Sequence, residues 1–266
     1  MDIYESKKEE FRQRFEKMSD LSVREFCCGR LRICIFYISN FCSKNMIAEQ
    51  IINPLSAAYG REGNAFSVES SIASASLSAL GSGDEAEESL LAGSAVLMYD
   101  GSPCYALSVG TKNEEGRSGN EPDTENVIRG PHEGFTENGE SNAMLIRRRL
   151  HTAKLKKLNF SVGTLSKTDV SIMYIEGIAR EKLVFEVVRR IKNTDVATVT
   201  DSGMIELCIQ DGKYALFPTV GNSERPDKVA AKLTEGRVAI IVDGSPVVLT
   251  VPYLFCEGFQ VTEDYA

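Results

Sequence analysis

The residues that most often carry chemistry are sparse in this sequence. It has two histidines, and neither His132 nor His151 lies beside a serine or cysteine in a recognisable nucleophile motif. It also lacks a phosphate-binding loop of the GxxxxGK[ST] type and a GxGxxG turn. The residue types therefore reveal no active site, and they predict a protein that is not an enzyme and uses no cofactor.

The seven cysteines are scattered along the chain, most of them within apolar runs. Their odd number and the absence of any CxxC spacing argue against both a disulfide framework and a zinc site. Free cysteines are among the most commonly buried residues. We therefore expect free thiols, no bound metal and a reducing compartment.

The segment Arg129–Phe135 (RGPHEGF) is the strongest candidate for a contact site. Its two glycines and its proline give the backbone a fixed but irregular path. Arg129 carries a planar fork of donors suited to a carboxylate or to carbonyls, Glu133 can take part in charge-assisted hydrogen bonds, and Phe135 is an apolar anchor. We predict ligand or subunit contacts at Arg129, His132, Glu133 and Phe135; a brace joining the two halves of the chain is the alternative.

A basic run extends from Arg147 to Lys157. Such a run can meet an anionic partner, for example lipid headgroups or an acidic protein surface. A solvated helix face is the more common explanation of a charge run, and we favour it here.

Two stretches predict a strand, a tight turn and a second strand. Gly236–Val251 contains two apolar runs separated by Asp243–Gly244, and Gly93–Val109 repeats the pattern around Asp100–Gly101. A serine and a proline follow each Asp-Gly pair, which gives DGSP in both places. Because aspartate before glycine is typical of turns, we interpret Asp100 and Asp243 as structural turn residues rather than metal or catalytic carboxylates.

A second pair of similar segments indicates an internal duplication. Arg32–Ser39 (RICIFYIS) resembles the later run that begins at Val170 (VSIMYIEG), and both are followed by a helical pattern. We predict an α/β fold of two similar mixed-sheet subdomains, each ending in a DGSP hairpin.

The boundaries follow from composition. Residues 1–20 predict an N-terminal helix, residues 21–110 the first subdomain, 111–128 an acidic linker and 129–266 the second subdomain. The linker is rich in Gly, Asn and Glu, which is typical of a solvated tether. Within the first subdomain we expect a helix that ends before Pro54 and a loop over residues 56–67.

The overall composition is that of a soluble globular protein, with 42% hydrophobic and 26% charged residues. A net charge of -8 and a pI near 5.1 argue against general nucleic-acid binding. No run approaches the roughly 20 apolar residues of a membrane span.

The second half of the sequence resembles the A subunits of the GerA-type spore germinant receptors. The resemblance depends on short motifs in matching order, namely RGPHEGF with the following Thr136–Asn138, LIRRRL (Leu145–Leu150), YIEGI (Tyr174–Ile178), Phe217–Pro218, ERPD (Glu224–Asp227), GRVAIIVDGSP (Gly236–Pro246) and EDY (Glu263–Tyr265). One departure is His132, where the family more often has arginine, so a charge contact there would be weaker at neutral pH.

The resemblance implies a subunit of a nutrient sensor in the spore inner membrane, with this part on the cytoplasmic, spore-core side. It implies B and C receptor subunits and other A subunits as partners, a small nutrient ligand such as an amino acid or a sugar, and no nucleic acid. It also implies that this sequence is the soluble N-terminal domain, without the membrane-spanning half. A purely structural oligomerisation domain and an enzyme of unknown type are the alternative functions.

The cysteine pattern gives a first testable prediction. Thiol titration of the denatured protein without reductant should find all seven cysteines reactive, because none is expected in a disulfide. The same titration after reduction is the control. A higher count after reduction, or zinc bound in a fixed ratio, would contradict the prediction.

Overall fold

A computed structural model of the protein describes residues 3–62, 66–112, 125, 131–211, 218–254 and 257. The chain divides into two compact units, residues 1–115 and residues 116–266. Within the described ranges, no helix has both the length and the apolar character needed to cross a membrane.

The first unit contains one sheet of five described strands with helices packed against it. Its elements in chain order are α1 (Ile3–Arg14), β1 (Leu21–Cys28), β2 (Leu31–Ile38), α2 (Lys44–Ile47), a π-helical turn (Ala48–Ile52), α3 (Asn53–Glu62), α4 (Val68–Ser71), β3 (Leu77–Leu80), α5 (Gly83–Leu91), β4 (Ala95–Tyr99) and β5 (Ala106–Val109). The strand order is β1-β2-β4-β5-β3.

The second unit has the same topology. Its elements are α6 (Gly139–Arg147), β6 (Leu155–Val162), β7 (Thr168–Ile175), α7 (Glu181–Lys192), α8 (Ser202–Ile209), β8 (Gly221–Ser223), α9 (Pro226–Thr234), β9 (Val238–Val242) and β10 (Val248–Val251). The strand order is β6-β7-β9-β10-β8, so each strand of the first unit has a counterpart at the same place in the second.

The strand register aligns the repeated sequence features. Ile33 pairs with Tyr99 in the first unit, and Val170 pairs with Val242 at the corresponding place in the second. These pairs join the segments that resemble each other in the sequence. The two units are therefore similar α/β subdomains, as the sequence predicted.

The prediction of mixed sheets is wrong, because all described strand pairs are antiparallel. The sequence pattern missed the short edge strands β3 and β8. Each of them adds one reversal of chain direction between the helices. As a result β4 and β9 run opposite to their neighbours β2 and β7, whereas a simple helical crossover would make them parallel.

The predicted loop at residues 56–67 is also wrong over its first part, because α3 extends from Asn53 to Glu62. The predicted helix end before Pro54 is wrong as well, because Ile47 and Asn53, on either side of the π-helical turn, both have helical backbone angles and the chain stays helical from α2 into α3. The π-helical turn directly before it continues the chain from α2, whose N-cap is Ser43.

Both faces of each sheet are covered. In β9 alternate residues point to opposite cores: Val238, Ile240 and Val242 pack with the apolar faces of α7 and α8, while Ala239 and Ile241 pack with α6 and α9. In the first unit, Ile33 and Ile35 face the core formed by α2 to α4, and Phe36 stacks edge-on against Phe11 of α1 at 5.0 Å. Such double coverage explains why the central strands read as continuous apolar runs.

The two Asp-Gly turns share one conformation. Ser102 N donates to Tyr99 O at 3.3 Å, and Ser245 N donates to Val242 O at 3.2 Å. The glycines have positive φ, +75° at Gly101 and +87° at Gly244, whereas the preceding aspartates do not. Positive φ at only the second central residue excludes a type I′ turn. The strands on either side pair antiparallel, and the connections are longer than two residues.

A glycine exchange tests this turn geometry. Gly101→Ala should lower the free energy of unfolding of the first unit by about 1 kcal/mol, because a Cβ disfavours positive φ although nothing lies within 4 Å of it. Gly60→Ala is the matched control in α3: it also has no atom within 4 Å, and it should raise stability by about 0.5 kcal/mol. Urea denaturation followed by circular dichroism measures both, and equal effects of the two variants would contradict the prediction.

Candidate functional site

The predicted contact segment is held within the second unit at two points. The carboxylate of Glu133 lies 2.9 Å from Arg149 and 3.6 Å from Arg148. Phe135 is 6% exposed, packs in the core of α6 and α9, and donates its backbone N–H to Glu224 O at 2.8 Å. His132 is exposed, and Arg129 lies outside the described residues. The structure therefore joins Glu133 to the arginine motif and Phe135 to the ERPD motif.

The turn aspartates also make contacts beyond their turns. Asp243 Oδ1 accepts a hydrogen bond from the N–H of Gly139, at the start of α6, at 2.9 Å. Gly244 N donates to Glu137 O at 2.7 Å. In the first unit Asp100 pairs with Arg32 at 2.8 Å. Each turn is thus fastened to its own unit.

The basic run is not a solvated helix face. Arg147, Lys156 and Lys157 are all buried, and the ammonium group of Lys157 lies 2.6 Å from Glu140. Lys156 and Lys157 are consecutive residues of β6, so they point to opposite faces of the sheet. A sequence pattern gives the sign of these charges but not their burial.

The ERPD motif forms the entry to α9. Arg225 is fully buried and binds Asp227 through two hydrogen bonds, Nη2–Oδ2 at 2.5 Å and Nε–Oδ1 at 3.2 Å. Pro226 occupies the first turn of the helix, where proline is favoured. This local pairing fixes the direction of the helix that follows.

One face of α9 carries two lysines that hold carboxylates from distant parts of the chain. Lys228 Nζ lies 2.8 Å from Glu125, and Lys232 Nζ lies 2.7 Å from Glu257. Their spacing of one helical turn places both ammonium groups on the same side of the helix. We call these two ion pairs the α9 clamp.

Both members of the α9 clamp are reinforced. Glu125 also accepts from Ser223 Oγ at 2.6 Å and from Glu224 N at 2.9 Å. Glu257 is also paired with Arg237, and Lys232 donates to Thr250 Oγ1 at 3.3 Å. The side chains of Lys232 and Glu257 are 2% and 5% exposed, so this pair is almost completely removed from water.

The surroundings shift the pKa values of these groups. Burial is the largest single influence and by itself would raise the pKa of Glu125 and of Glu257, but the hydrogen bonds and charges of their partners, led by Lys228 and Lys232, together hold both pKa values below the usual value. Burial is the main cause that lowers the pKa of Lys232, and Glu257 opposes it. Both carboxylates are therefore ionised at neutral pH, and the charge of Glu257 counteracts the effect of burial on the pKa of Lys232.

A cavity of about 300 Å³ opens beside the α9 clamp, within the second unit. Its lining includes both lysines, both clamp carboxylates, Glu206 and Tyr253. The cavity has acceptors and donors but, among the described residues, the chain has no cluster of three or more His, Cys, Asp and Glu side chains suited to a metal. The arrangement suits hydrogen bonding to a small polar molecule.

Sequence reasoning missed most of this site. It treated Glu125 as part of a solvated tether and gave no role to Lys228, Lys232 or Glu257. The available signal was the i, i+4 spacing of the two lysines on a helix that begins at the ERPD motif.

The fold is that of a duplicated α/β protein, in which each unit contains one five-stranded antiparallel sheet. Residues 9–266 match the family described as the Bacillus/Clostridium GerA spore germination protein. The chain belongs to this GerA family, whose members are spore germination proteins rather than known enzymes.

Individual relatives agree with the family assignment. The chain is 37% identical to spore germination protein KA of Bacillus subtilis over 93% of its own length and 46% of the relative's. It is 42% identical to spore germination protein A1 of the same species over 67% of its length and 37% of the relative's. The chain thus spans about half or less of the length of these relatives.

A solved structure has the same fold. The crystal structure of the N-terminal domain of the A subunit of the Bacillus megaterium spore germinant receptor GerK3 matches with a TM-score of 0.71 and 31% sequence identity. The match covers 93% of this chain and 94% of that one. The two-subdomain α/β architecture is therefore shared with a germinant receptor domain.

The α9 clamp gives a stability prediction. Glu257→Gln should lower the free energy of unfolding of the second unit by about 3 kcal/mol, because it leaves the buried Lys232 without its anionic partner. Glu235→Gln is the matched control: Glu235 also pairs with Arg237 but is 47% exposed, so its loss should cost less than about 1 kcal/mol. Urea denaturation at pH 7 measures both variants.

The same variant should alter the pH dependence. The folded pKa of Glu257 lies below its unfolded value of about 4.3, so its contribution is present above that pH and is lost as the pH falls through the folded pKa. Glu257→Gln should therefore lose less stability than the native protein on acidification. An unchanged acid slope would contradict the role given to this carboxylate.

Proposed function

We propose that this chain is the N-terminal part of the A subunit of a spore nutrient germinant receptor, and that it acts without catalysis in nutrient sensing, receptor assembly and signal transmission. Its partners are receptor B and C subunits and further A subunits. It works at the spore inner membrane, on the side of the spore core. The family membership and the match to the GerK3 domain support this proposal.

The observation that carries the signalling role is the α9 clamp. Glu125 lies in the sequence before α6, and Glu257 follows β10, so they flank the folded core of the second unit at both ends. Both carboxylates pair with lysines of α9. A displacement of either flanking segment therefore acts on α9, which packs against β9 through Val229 and Leu233.

The ion pairs of the α9 clamp suit an element that takes up a small number of distinct arrangements. Removing one partner of a buried ion pair costs about 3–5 kcal/mol. Lys232 and Glu257 form such a pair, whereas Lys228 and Glu125 are only partly buried. A signal needs an element with two distinct arrangements that separate sites can bias. We assign the role of this two-state element to the α9 clamp. The segment from Pro131 to Phe135 is fixed by Glu133 and Phe135, and we propose that it presents His132 at the surface as a subunit contact.

Removing one clamp pair in the full-length receptor tests the proposal. The double variant Glu125→Gln, Lys228→Met deletes both charges, so neither is left buried alone. Spores with this receptor should need about tenfold more nutrient for a half-maximal response, within the 5–150-fold range of typical coupling between sites, while the receptor level stays normal. Loss of absorbance of the spore suspension measures the response, and immunoblotting measures the level.

The matched control is Glu181→Gln, Lys182→Met, which deletes the same two charge types from exposed positions in the first turn of α7. It should leave the nutrient response unchanged. A normal response from the clamp variant at normal receptor level would contradict the signalling role, and it would favour a purely structural oligomerisation domain.

A further inference from the structure

A second cavity, of about 270 Å³, lies in the first unit between the start of α1 and the Asp-Gly turn that follows β4. We call it the α1 cavity. Ile3, Lys7, Tyr99, Ser102 and Tyr105 contribute to its lining, and each of them is at least partly exposed. A small molecule in the cavity can therefore contact these side chains directly.

A comparison of the two units shows why space remains here. The helix before the first strand is α1 in the first unit and α6 in the second. In the second unit this helix begins directly on the turn, because Gly139 N donates to Asp243 Oδ1 at 2.9 Å. In the first unit the turn residue Asp100 instead accepts from Arg32 of β2, through Nη2 at 2.8 Å and Nε at 3.3 Å. Arg32 also contacts Glu5 of α1 at 3.3 Å, so a side chain stands between the helix and the turn.

The turn of the first unit is also longer. Residues 100–105 connect β4 to β5, whereas residues 243–247 connect β9 to β10, one residue fewer. The longer connection ends in Tyr105, whose ring packs edge-on against Phe11 with centroids 6.4 Å apart. Tyr99 adds a second ring to the lining. The α1 cavity thus offers aromatic surface of the kind that packs against a flat apolar group.

One cation in the wall is not paired with a carboxylate. Lys7 Nζ lies 3.5 Å from Cys104 O, at the long limit of a hydrogen bond, and 5.6 Å from the centroid of the Tyr105 ring. It makes no ion pair with any of the residues that the structure describes. Because an ammonium group has three donors, Lys7 keeps the capacity to bind an anionic group in the cavity.

The other charges around the α1 cavity already have partners. Lys8 lies 2.7 Å from Glu5, and Arg32 lies 2.8 Å from Asp100. Asp100 lines the cavity and would repel a second negative charge on a ligand. The charges therefore suit a ligand with a single carboxylate that lies at Lys7.

We propose that the α1 cavity binds a small monocarboxylate that carries a flat apolar ring. The carboxylate pairs with Lys7, and the ring lies against Tyr99 and Tyr105. The volume of about 270 Å³ is just below the usual range of ligand sites, so it suits a compound with one ring. This site belongs to the first unit, and its occupation does not depend on the signalling role of the α9 clamp.

An NMR titration of the isotope-labelled whole chain tests the proposal with phenylacetate as the probe. Its comparators are phenylacetamide, which has the same shape without the charge, and acetate, which lacks the ring. Phenylacetate should bind with a dissociation constant of about 1 mM or lower, a modest affinity for a ligand of about ten non-hydrogen atoms. It should shift the amide signals of residues 98–105, and both comparators should bind at least tenfold more weakly.

Three results would overturn the proposal: no detectable binding of phenylacetate, equal binding of phenylacetamide, or signal shifts that all lie away from the α1 cavity. The location of the shifts is read from the native protein, so this part of the test needs no variant.

The variant Lys7→Met removes the ammonium group and keeps an unbranched side chain that favours a helix. It should weaken phenylacetate binding at least tenfold, whereas Lys44→Met, at an exposed position of α2, should leave the affinity unchanged. If Lys7→Met does not fold, Lys7→Gln takes its place with the same expectation. Full affinity in a folded Lys7 variant would overturn the site.

Discussion

The central strands of both sheets are apolar on both faces, and this constraint decides where everything else lies. Every residue of β9 is buried. A strand of this kind is stable only when helices cover both sides of its sheet. Val229 and Leu233 form an apolar stripe of α9 that packs against the sheet. The helical period then places Lys228 and Lys232 together beside this stripe. The α9 clamp is a consequence of how the sheet has to be covered.

The two units differ in how they use polar groups. In the described part of the chain, the six buried basic side chains all lie in the second unit: Arg147, Lys156, Lys157, Arg225, Lys232 and Arg237. Buried ion pairs add little net stability compared with apolar packing of the same volume, but breaking one is costly. A shared topology with such unequal charge burial indicates that the first unit is held mainly by apolar packing, whereas the second unit also fixes particular side-chain geometry.

The sequence predicted the parts of the fold that local pattern determines. The similar apolar runs around Asp100 and Asp243 identified the duplication, because continuous apolar strands and Asp-Gly turns are strong local signals. The edge strands β3 (LSAL) and β8 (GNS) lack β-branched residues and form through pairing with β5 and β10, so no local signal marked them. Without them the predicted sheets were mixed rather than antiparallel.

The candidate site was predictable to a smaller extent, for a related reason. Glu133 and Phe135 were predicted as ligand or subunit contacts because glycine and proline around them indicate a fixed path. The structure gives both side chains partners within their own unit, and their role as contacts stays a prediction. Glu125 was assigned to a solvated tether, since a glutamate in a polar stretch gives no sign that a distant lysine will bury it. Charge burial depends on the tertiary contacts of α9, which residue spacing alone does not reveal.

These properties connect the cavity to the α9 clamp. A ligand shifts a conformational equilibrium only by the difference in its affinity for the two states. Glu125 and Glu257 line the same cavity but belong to segments on opposite sides of the unit's core in sequence. A ligand that contacted both carboxylates would stabilise the arrangement in which both lysine pairs are formed. An ionic ligand would compete with these ion pairs, because their charges already satisfy one another.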